Sequence, residues 1–305
     1  MREHDFSGPT TVRRDRRRFD DDEPHFLKRG RLEPALTEEP DLPETGDRWS
    51  TWDGALHGPH PRPDWVRTEH AAVDTELGIL KTGKEADVFL VRRAVPGTDR
   101  TSMLAAKRYR DGEHRLFNRD AGYLEGRRVR RSREMRAMAN RTSFGKELIA
   151  GQWAEAEFAA LSRLWQVGAT SGLVRVPYPV QLAGTELMLE FVGDWETGAG
   201  APRLAQLRPD LDELTVLWGQ LVDAVSVLAR AQVAHGDLSP YNLLVHDGRL
   251  VLIDLPQIVD VIANPRGGEF LARDVRNVAR WFTARGLPVD ADDLIERLSV
   301  EAGLR

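Results

Sequence analysis

The chain has 305 residues, 41% of them hydrophobic and 30% charged, which is enough apolar mass for a sizeable core and excludes a wholly disordered polypeptide. Its 43 basic and 48 acidic residues leave a net charge of −5, so bulk positive charge does not make it a nucleic-acid binder, and the absence of cysteine excludes disulfides, thiolate metal sites and a cysteine nucleophile. No stretch approaches the roughly 18–20 apolar residues of a membrane span, and Met1-Arg2-Glu3-His4-Asp5 leads into charge instead of an apolar signal segment; a cytoplasmic protein without a membrane partner is expected.

Residues 1–65 hold 8 of the 17 prolines and very few Val, Ile or Leu, a composition that cannot offset its ordering entropy by burial. They are expected to form a disordered, charged tail, in which Arg13, Arg14 and Arg16 to Arg18 are either a solvated charge run or a grip for RNA. Trp49, Trp52 and Trp65 are unusual in such a segment and are candidates for docking on the folded part.

From residue 66 the pattern is globular. Asp87–Val91 and Leu104–Lys107 read as strands, with Pro96-Gly97 as a turn between them. Leu80–Asp87 precedes the first of these strands as a loop offering Gly83, backbone N–H groups and Lys84 to phosphates. Residues 111–146 carry ten basic side chains, with Arg127, Arg128, Arg130, Arg131 and Arg133 close together. A helix is expected near 152–167, and Leu187–Val192 is a short buried strand closed by Gly193. Leu214, Leu217, Leu221, Val225 and Leu228 recur at helical spacing, as do Leu271, Val275, Val278 and Phe282, and Asp290 can cap a last helix carrying Leu294 and Leu298. Strands first and helices later give an α+β class with two lobes, the first over about 66–192 and the second over about 193–305.

The chemistry is concentrated in His235-Gly236-Asp237-Leu238-Ser239-Pro240-Tyr241-Asn242 and the segment that follows. Leu243–Val245 and Leu250–Ile253 are apolar strands joined by the turn signal Asp247-Gly248. Folding that hairpin returns Asp254 to the neighbourhood of Asn242, with Asp237 on the loop before them. Two carboxylates and an amide oxygen are hard ligands suited to Mg²⁺, with Mn²⁺ as a substitute. Aspartate, asparagine five residues on, and a second aspartate after a hairpin are the catalytic apparatus of the bilobal protein-kinase-like fold. In that scheme Asp237 takes or orients the proton of the attacking hydroxyl, and Asn242 and Asp254 hold the metal bridging the ATP phosphates. Lys107, at the end of an apolar strand, needs a carboxylate partner. Glu157 falls in register with Trp153, Leu161 and Trp165 and is preferred; Glu155 is the alternative.

Several blocks resemble the RIO family of atypical serine/threonine protein kinases, and most of all its first subfamily. They are Thr82–Val88, Ala105-Ala106-Lys107, Trp153–Phe158, Met188–Gly193, Ala201–Leu204, His235–Asn242, Ile253–Gln257 and Phe270–Val278, in the family's order over about residues 66–285. The resemblance implies that Asp237 is the proton acceptor and that Asn242 and Asp254 are metal ligands, with Asp254 also a candidate for transient phosphorylation. It implies that Lys107 is the ATP lysine paired by Glu157, and that Glu190 and Val192 are the hinge whose backbone meets adenine. The basic 111–146 segment matches the family's autophosphorylated loop, which makes Ser132, Thr142 and Ser143 candidate sites. Gly236 stands where many protein kinases have Arg, and Leu255-Pro256 replaces the Phe-Gly after the metal aspartate. Asp87 stands where the family more often has Asn, adding a negative charge near the nucleotide.

The expected function is ATP-dependent phosphorylation of the chain itself or of a protein partner, or action mainly as an ATPase switch. Two alternatives stay open: a small-molecule phosphotransferase of the aminoglycoside or choline type, and an ATP-gated binding protein that recruits RNA or a ribosomal particle through the Arg-rich segments. Only 51 residues follow Asp254, few for the helices that shape a small-molecule acceptor pocket.

Overall fold

The computed structural model describes residues 42–110 and 143–304, with the side chains of residues 143–147 outside that description. Arg13–Arg18, Arg127–Arg133, Ser132 and Thr142 lie outside the described residues, as does the side chain of Ser143.

Seven strands form one antiparallel sheet: β1 (Arg48–Trp49), β2 (Leu56–His57), β3 (Val73–Thr82), β4 (Ala86–Ala94), β5 (Thr101–Tyr109), β6 (Pro179–Ala183) and β7 (Glu186–Glu190), in the order β1-β3-β4-β5-β7-β6-β2. β1 and β2 are opposite edges of this sheet, yet only six residues separate them. Seven strands laid flat span about 29 Å, while a seven-residue step reaches at most about 25 Å when fully extended. Here that step includes a helical turn at Trp52–Gly54, so the sheet has to curl until its edges approach. Across the inside of the curl, Arg93 of β4 is fully buried and forks onto Asp74 of β3 at 2.7 and 2.9 Å. Its remaining nitrogen reaches Gln181 of β6 at 2.7 Å, and Gln181 in turn donates to Thr51 at 2.7 Å.

The tail expected over 1–65 therefore has to be shortened, because residues 42–65 belong to the fold. Trp52 is buried with Val91, Leu104 and Tyr178, and it stacks on His57 at 3.9 Å between ring centroids. Proline-rich and poor in aliphatics, this segment is held by edge pairing, by Trp52, by Trp65 packed edge-on to Tyr178, and by Thr51. The loop reading of residues 80–82 is corrected as well. They end β3, and Gly83 turns the chain directly into β4, its N–H donating to the Ala86 carbonyl at 3.0 Å. A Cβ on Gly83 would come within 2.7 Å of that same oxygen, hence glycine.

Helix α1 (Ser143–Ser171) packs on the sheet, and the helical part follows. In α2 (Leu211–Arg230), Asp210 accepts from the Glu213 N–H and Glu213 answers the Asp210 N–H, a reciprocal cap. Leu214, Leu217, Leu221, Val225 and Leu228 form its buried stripe. α3 (Gly267–Thr283) buries Leu271, Val275, Val278 and Phe282, and α4 (Ala291–Glu301) starts at Asp290, whose carboxylate accepts from the N–H groups of Asp292 and Asp293. Two small ladders pack on α2 and α3: β8 (Val233–Ala234) with β11 (Val259–Asp260), and β9 (Leu243–His246) with β10 (Arg249–Leu252). The architecture is α+β, a curled mainly-β N-terminal part followed by a helical one.

Candidate active site

A cavity of about 930 Å³ opens between the sheet and the helical part, within the size range of sites for small ligands. Its walls include Gly83 and Lys84 from the β3–β4 turn, Lys81, Val88, Ala105 and Lys107 from the sheet and Glu157 from α1. Glu190 to Val192 line it after β7, and Asp237 and Asp254 come from the two loops of the helical part.

The hairpin β9–β10 sets the lower wall. Asp247 and Gly248 both adopt positive φ (51° and 68°), the backbone that a two-residue turn matched to strand twist requires. The register then runs from Arg249↔His246 to Leu252↔Leu243, and the Ile253 N–H reaches the Asn242 carbonyl at 3.1 Å. Asn242 is thereby set beside the residue that precedes Asp254. Its amide nitrogen donates to the Asp237 carbonyl at 2.9 Å. A carbonyl can only accept, so the amide oxygen faces away from it, and it carries no hydrogen bond among the described residues.

Three polar side chains of α3 hold the loop that carries Asp237. Asp274, buried, accepts from the N–H groups of Gly236 (2.8 Å) and Leu238 (3.0 Å). Arg273 donates to the Gly236 carbonyl, and Asn277 to that of Leu238 at 3.3 Å. Burial pushes the Asp274 carboxyl above the usual range, opposed by His235 and by the two N–H bonds. Gly236 has φ 85°, and a Cβ there would sit 2.2 Å from the Gln257 carbonyl, which accounts for glycine where many protein kinases have Arg. His235 bonds through Nε2 to the Ile253 carbonyl at 3.1 Å, so that nitrogen carries the proton. The Asp237 carboxylate faces the cavity and has no hydrogen bond among the described residues.

Lys107 is the electrostatic centre. Its ammonium lies 2.8 and 2.7 Å from the two oxygens of Glu157 and 2.8 Å from Asp254 Oδ1. Burial alone would lower its pKa, but Glu157 and Asp254 reverse that and raise it well above the usual lysine value. Glu157 is 1% exposed and also accepts from the Tyr109 hydroxyl and from the Leu255 N–H at 3.3 Å; Glu155, by contrast, points to solvent. The Lys107 charge, working against desolvation, lowers the Asp254 carboxyl to about 2. Asp254 has φ 67°, a left-handed backbone rare outside glycine, so strain is concentrated at this side chain. Its Oδ2 has no partner among the described residues.

Glu190 and Val192 lie where the chain leaves β7 for the helical part. The Glu190 carboxylate accepts from the Tyr178 N–H at 3.0 Å, and the Val192 N–H has no hydrogen-bond partner among the described residues. Lys84 is exposed at the cavity mouth. Asp87 does not line the cavity: Arg110 grips its carboxylate with Nε at 2.7 Å and, through that bond first, holds its pKa down. The added negative charge is thus neutralised away from the ligand space.

These features converge with the similarity of the whole sequence. The RIO domain family profile matches residues 95–294. The chain belongs to the RIO domain family. It is 35% identical over 231 residues to the RIO-type serine/threonine-protein kinase Rio1 of Haloferax volcanii, covering 76% of this chain and 71% of that protein. It is 33% identical over 213 residues to serine/threonine-protein kinase RIO1 of Caenorhabditis elegans, and 27% over 234 residues to the protein of that name in Saccharomyces cerevisiae. These matches take in 70% and 72% of this chain but only 38% and 46% of the two eukaryotic proteins, so the RIO domain is the shared part.

Two residues of the RIO domain's site escaped the sequence reading. Asp274 falls three residues after Leu271 and four before Val278, inside a buried helical stripe, and a carboxylate at such a position signals backbone to be satisfied. Lys81 is one of only five lysines in the chain, but the irregularity that turns it toward the cavity has no sequence signature.

Proposed function

We propose that this RIO domain is an ATP-dependent serine/threonine protein kinase whose acceptor hydroxyl lies on the chain itself or on a protein partner. The observation that carries the reading is Lys107, fixed between Glu157 and Asp254 on a cavity that Asp237 and the Glu190–Val192 segment also line. In the reaction, the acceptor oxygen forms a bond to the γ-phosphorus of ATP as the bond to the bridging oxygen breaks and ADP leaves. Asp237 orients the hydroxyl and takes its proton. Lys107, cationic throughout the physiological range, meets the phosphates, and the free Val192 N–H offers adenine a donor.

The donor set fits Mg²⁺. Asp254 stays ionised down to about pH 2 with one oxygen free, and the Asn242 amide oxygen is turned away from its own loop. Among the described residues no group of three or more His, Asp or Glu side chains forms a cage from protein alone. That suits an ion which keeps waters and substrate phosphates in its shell. Asn242 and Asp254 would hold the ion, and bound there it neutralises charge that develops on the phosphates.

The test is incubation with γ-labelled ATP and Mg²⁺ with and without candidate protein acceptors. Asp237→Ala should lower phosphoryl transfer at least a hundredfold while nucleotide binding stays measurable. Undiminished transfer by this variant would remove Asp237 from the role assigned to it.

A further inference from the structure

The sheet carries a second lysine into the cavity. Lys81 of β3 pairs with Val88 of β4, and Val88 pairs with Lys107 of β5. Residues opposite one another in antiparallel strands share a face, so Lys81, Val88 and Lys107 form one row, and all three line the cavity. The two lysine backbones are two strand spacings apart, about 10 Å.

A bulge produces this placement. Ile79 pairs with Phe89, but the next pair is Lys81 with Val88, leaving Leu80 as the extra residue. In a regular strand, successive side chains alternate between faces. Here Leu80 and Lys81 both line the cavity, which is the re-aiming that a bulge achieves.

The two lysines differ in what holds them. Lys107 is shared between two carboxylates, whereas Lys81 has no carboxylate within 4 Å among the described residues. Four charged groups surround it more distantly, Asp254, Glu157, Lys107 and Arg203, and burial pushes its pKa down. A half-buried ammonium without a direct counter-ion is stabilised by an anion entering the space it faces.

We propose that Lys81 is a further phosphate-binding cation of the nucleotide site, engaging the triphosphate from the β3 side and supplying part of the charge neutralisation otherwise left to the divalent ion. This deepens the kinase reading and rests on it. The consequence is specific: ATP binding in this RIO domain retains affinity when divalent ions are removed, and that retained affinity depends on Lys81.

The experiment is calorimetric titration of the full chain with ATP and with adenosine, in EDTA and in Mg²⁺, for wild type, Lys81→Met and Lys81→Arg. In EDTA, wild type should bind ATP more tightly than adenosine. Lys81→Met should weaken metal-free ATP binding about tenfold or more and MgATP binding by less, with adenosine affinity held within about twofold. Lys81→Arg should retain most of the ATP affinity. Metal-free ATP binding by Lys81→Met within twofold of wild type would overturn the inference, as would an equal loss for adenosine, which shows an effect on the pocket and not on phosphates. Wild type that binds ATP no better than adenosine in EDTA overturns it too, while leaving the kinase reading intact if MgATP still binds. Failure of wild type to bind any of these ligands would remove the kinase reading and this inference together.

Discussion

Neutralising Glu157 tests the arrangement at its most constrained point. Three donors converge on this carboxylate: the Lys107 ammonium at 2.8 Å, the Tyr109 hydroxyl and the Leu255 N–H at 3.3 Å. Glu157→Gln keeps the shape but offers a single acceptor oxygen, and its NH₂ group must face at least one of the three donors. Removing one member of a buried ion pair costs about 3–5 kcal/mol, because the other charge is left uncompensated. Here Asp254 still faces Lys107 at 2.8 Å, which places the expected loss near the lower end, about 3 kcal/mol. For a folded unit of this size that lowers Tm by about 6–12 °C. Thermal and urea unfolding of the ligand-free protein would measure it, with Glu155→Gln as the matched control. Glu155 is exposed, so its substitution should change stability by no more than about 0.5 kcal/mol. Equal shifts for Glu157→Gln and Glu155→Gln would refute the reasoning.

Two further outcomes follow from the loops around Asp237 and Asp254. Asp254 titrates at about 2 instead of its ordinary 3.8, so the folded state holds an ionised carboxylate whose stabilisation is present above pH 4 and lost as pH falls from about 4 to about 2. With the side chain 32% exposed, screening reduces the contribution to about 1–2 kcal/mol. Asp254→Asn, which tolerates the left-handed backbone, should be less stable by that amount at pH 6 and should converge with wild type near pH 2; a gap independent of pH across urea denaturation curves counts against the linkage. Asp274→Ala strands the buried N–H groups of Gly236 and Leu238 and should cost about 2–5 kcal/mol, with phosphoryl transfer falling more steeply than nucleotide affinity. An unchanged ratio of transfer to binding would mean that Asp274 does not position the loop.

The parts of this molecule legible in the sequence are those whose signal is local. Asp247-Gly248 between two apolar runs fixes a hairpin and its register, and with them the approach of Asp254 to Asn242. The stripes of α2 and α3 emerge from spacing alone. β3 was hidden because four consecutive residues, Glu76 to Ile79, are exposed and two bulges break its alternation. β1 and β2 are two-residue strands in a proline-rich stretch; they exist because the curled sheet presents edges, β3 to β1 and, more than a hundred residues later, β6 to β2. The buried network joins Arg93, Asp74, Gln181 and Thr51 from four separate stretches of chain, and no short window of sequence contains them together. At the site, helical register singled out Glu157 over Glu155 because it follows from the α1 stripe. Lys81 was missed because its orientation depends on one extra residue in a strand.

The strained backbone at Asp254 persists because both of its neighbours are tied down. Ile253 gives its N–H to the Asn242 carbonyl, and its own carbonyl accepts from His235. Leu255 gives its N–H to Glu157. Relaxing φ at Asp254 from 67° would require breaking contacts on one side or the other, so a cost of order 1–3 kcal/mol at one residue is held by bonds to three residues, His235 and Asn242 of the loop that carries Asp237 and Glu157 of α1. Glu157 serves this bracket and the Lys107 pair with one carboxylate, and that double use explains why α1 must bury a charge against the sheet. A glutamate here that only neutralised Lys107 could be supplied from the surface; one that also fixes the residue after Asp254 has to lie inside, where it is 1% exposed. The position of α1 is therefore coupled to the backbone of Asp254, and any displacement of the helix that withdraws Glu157 frees the Leu255 N–H and leaves Lys107 to Asp254 alone in the same movement.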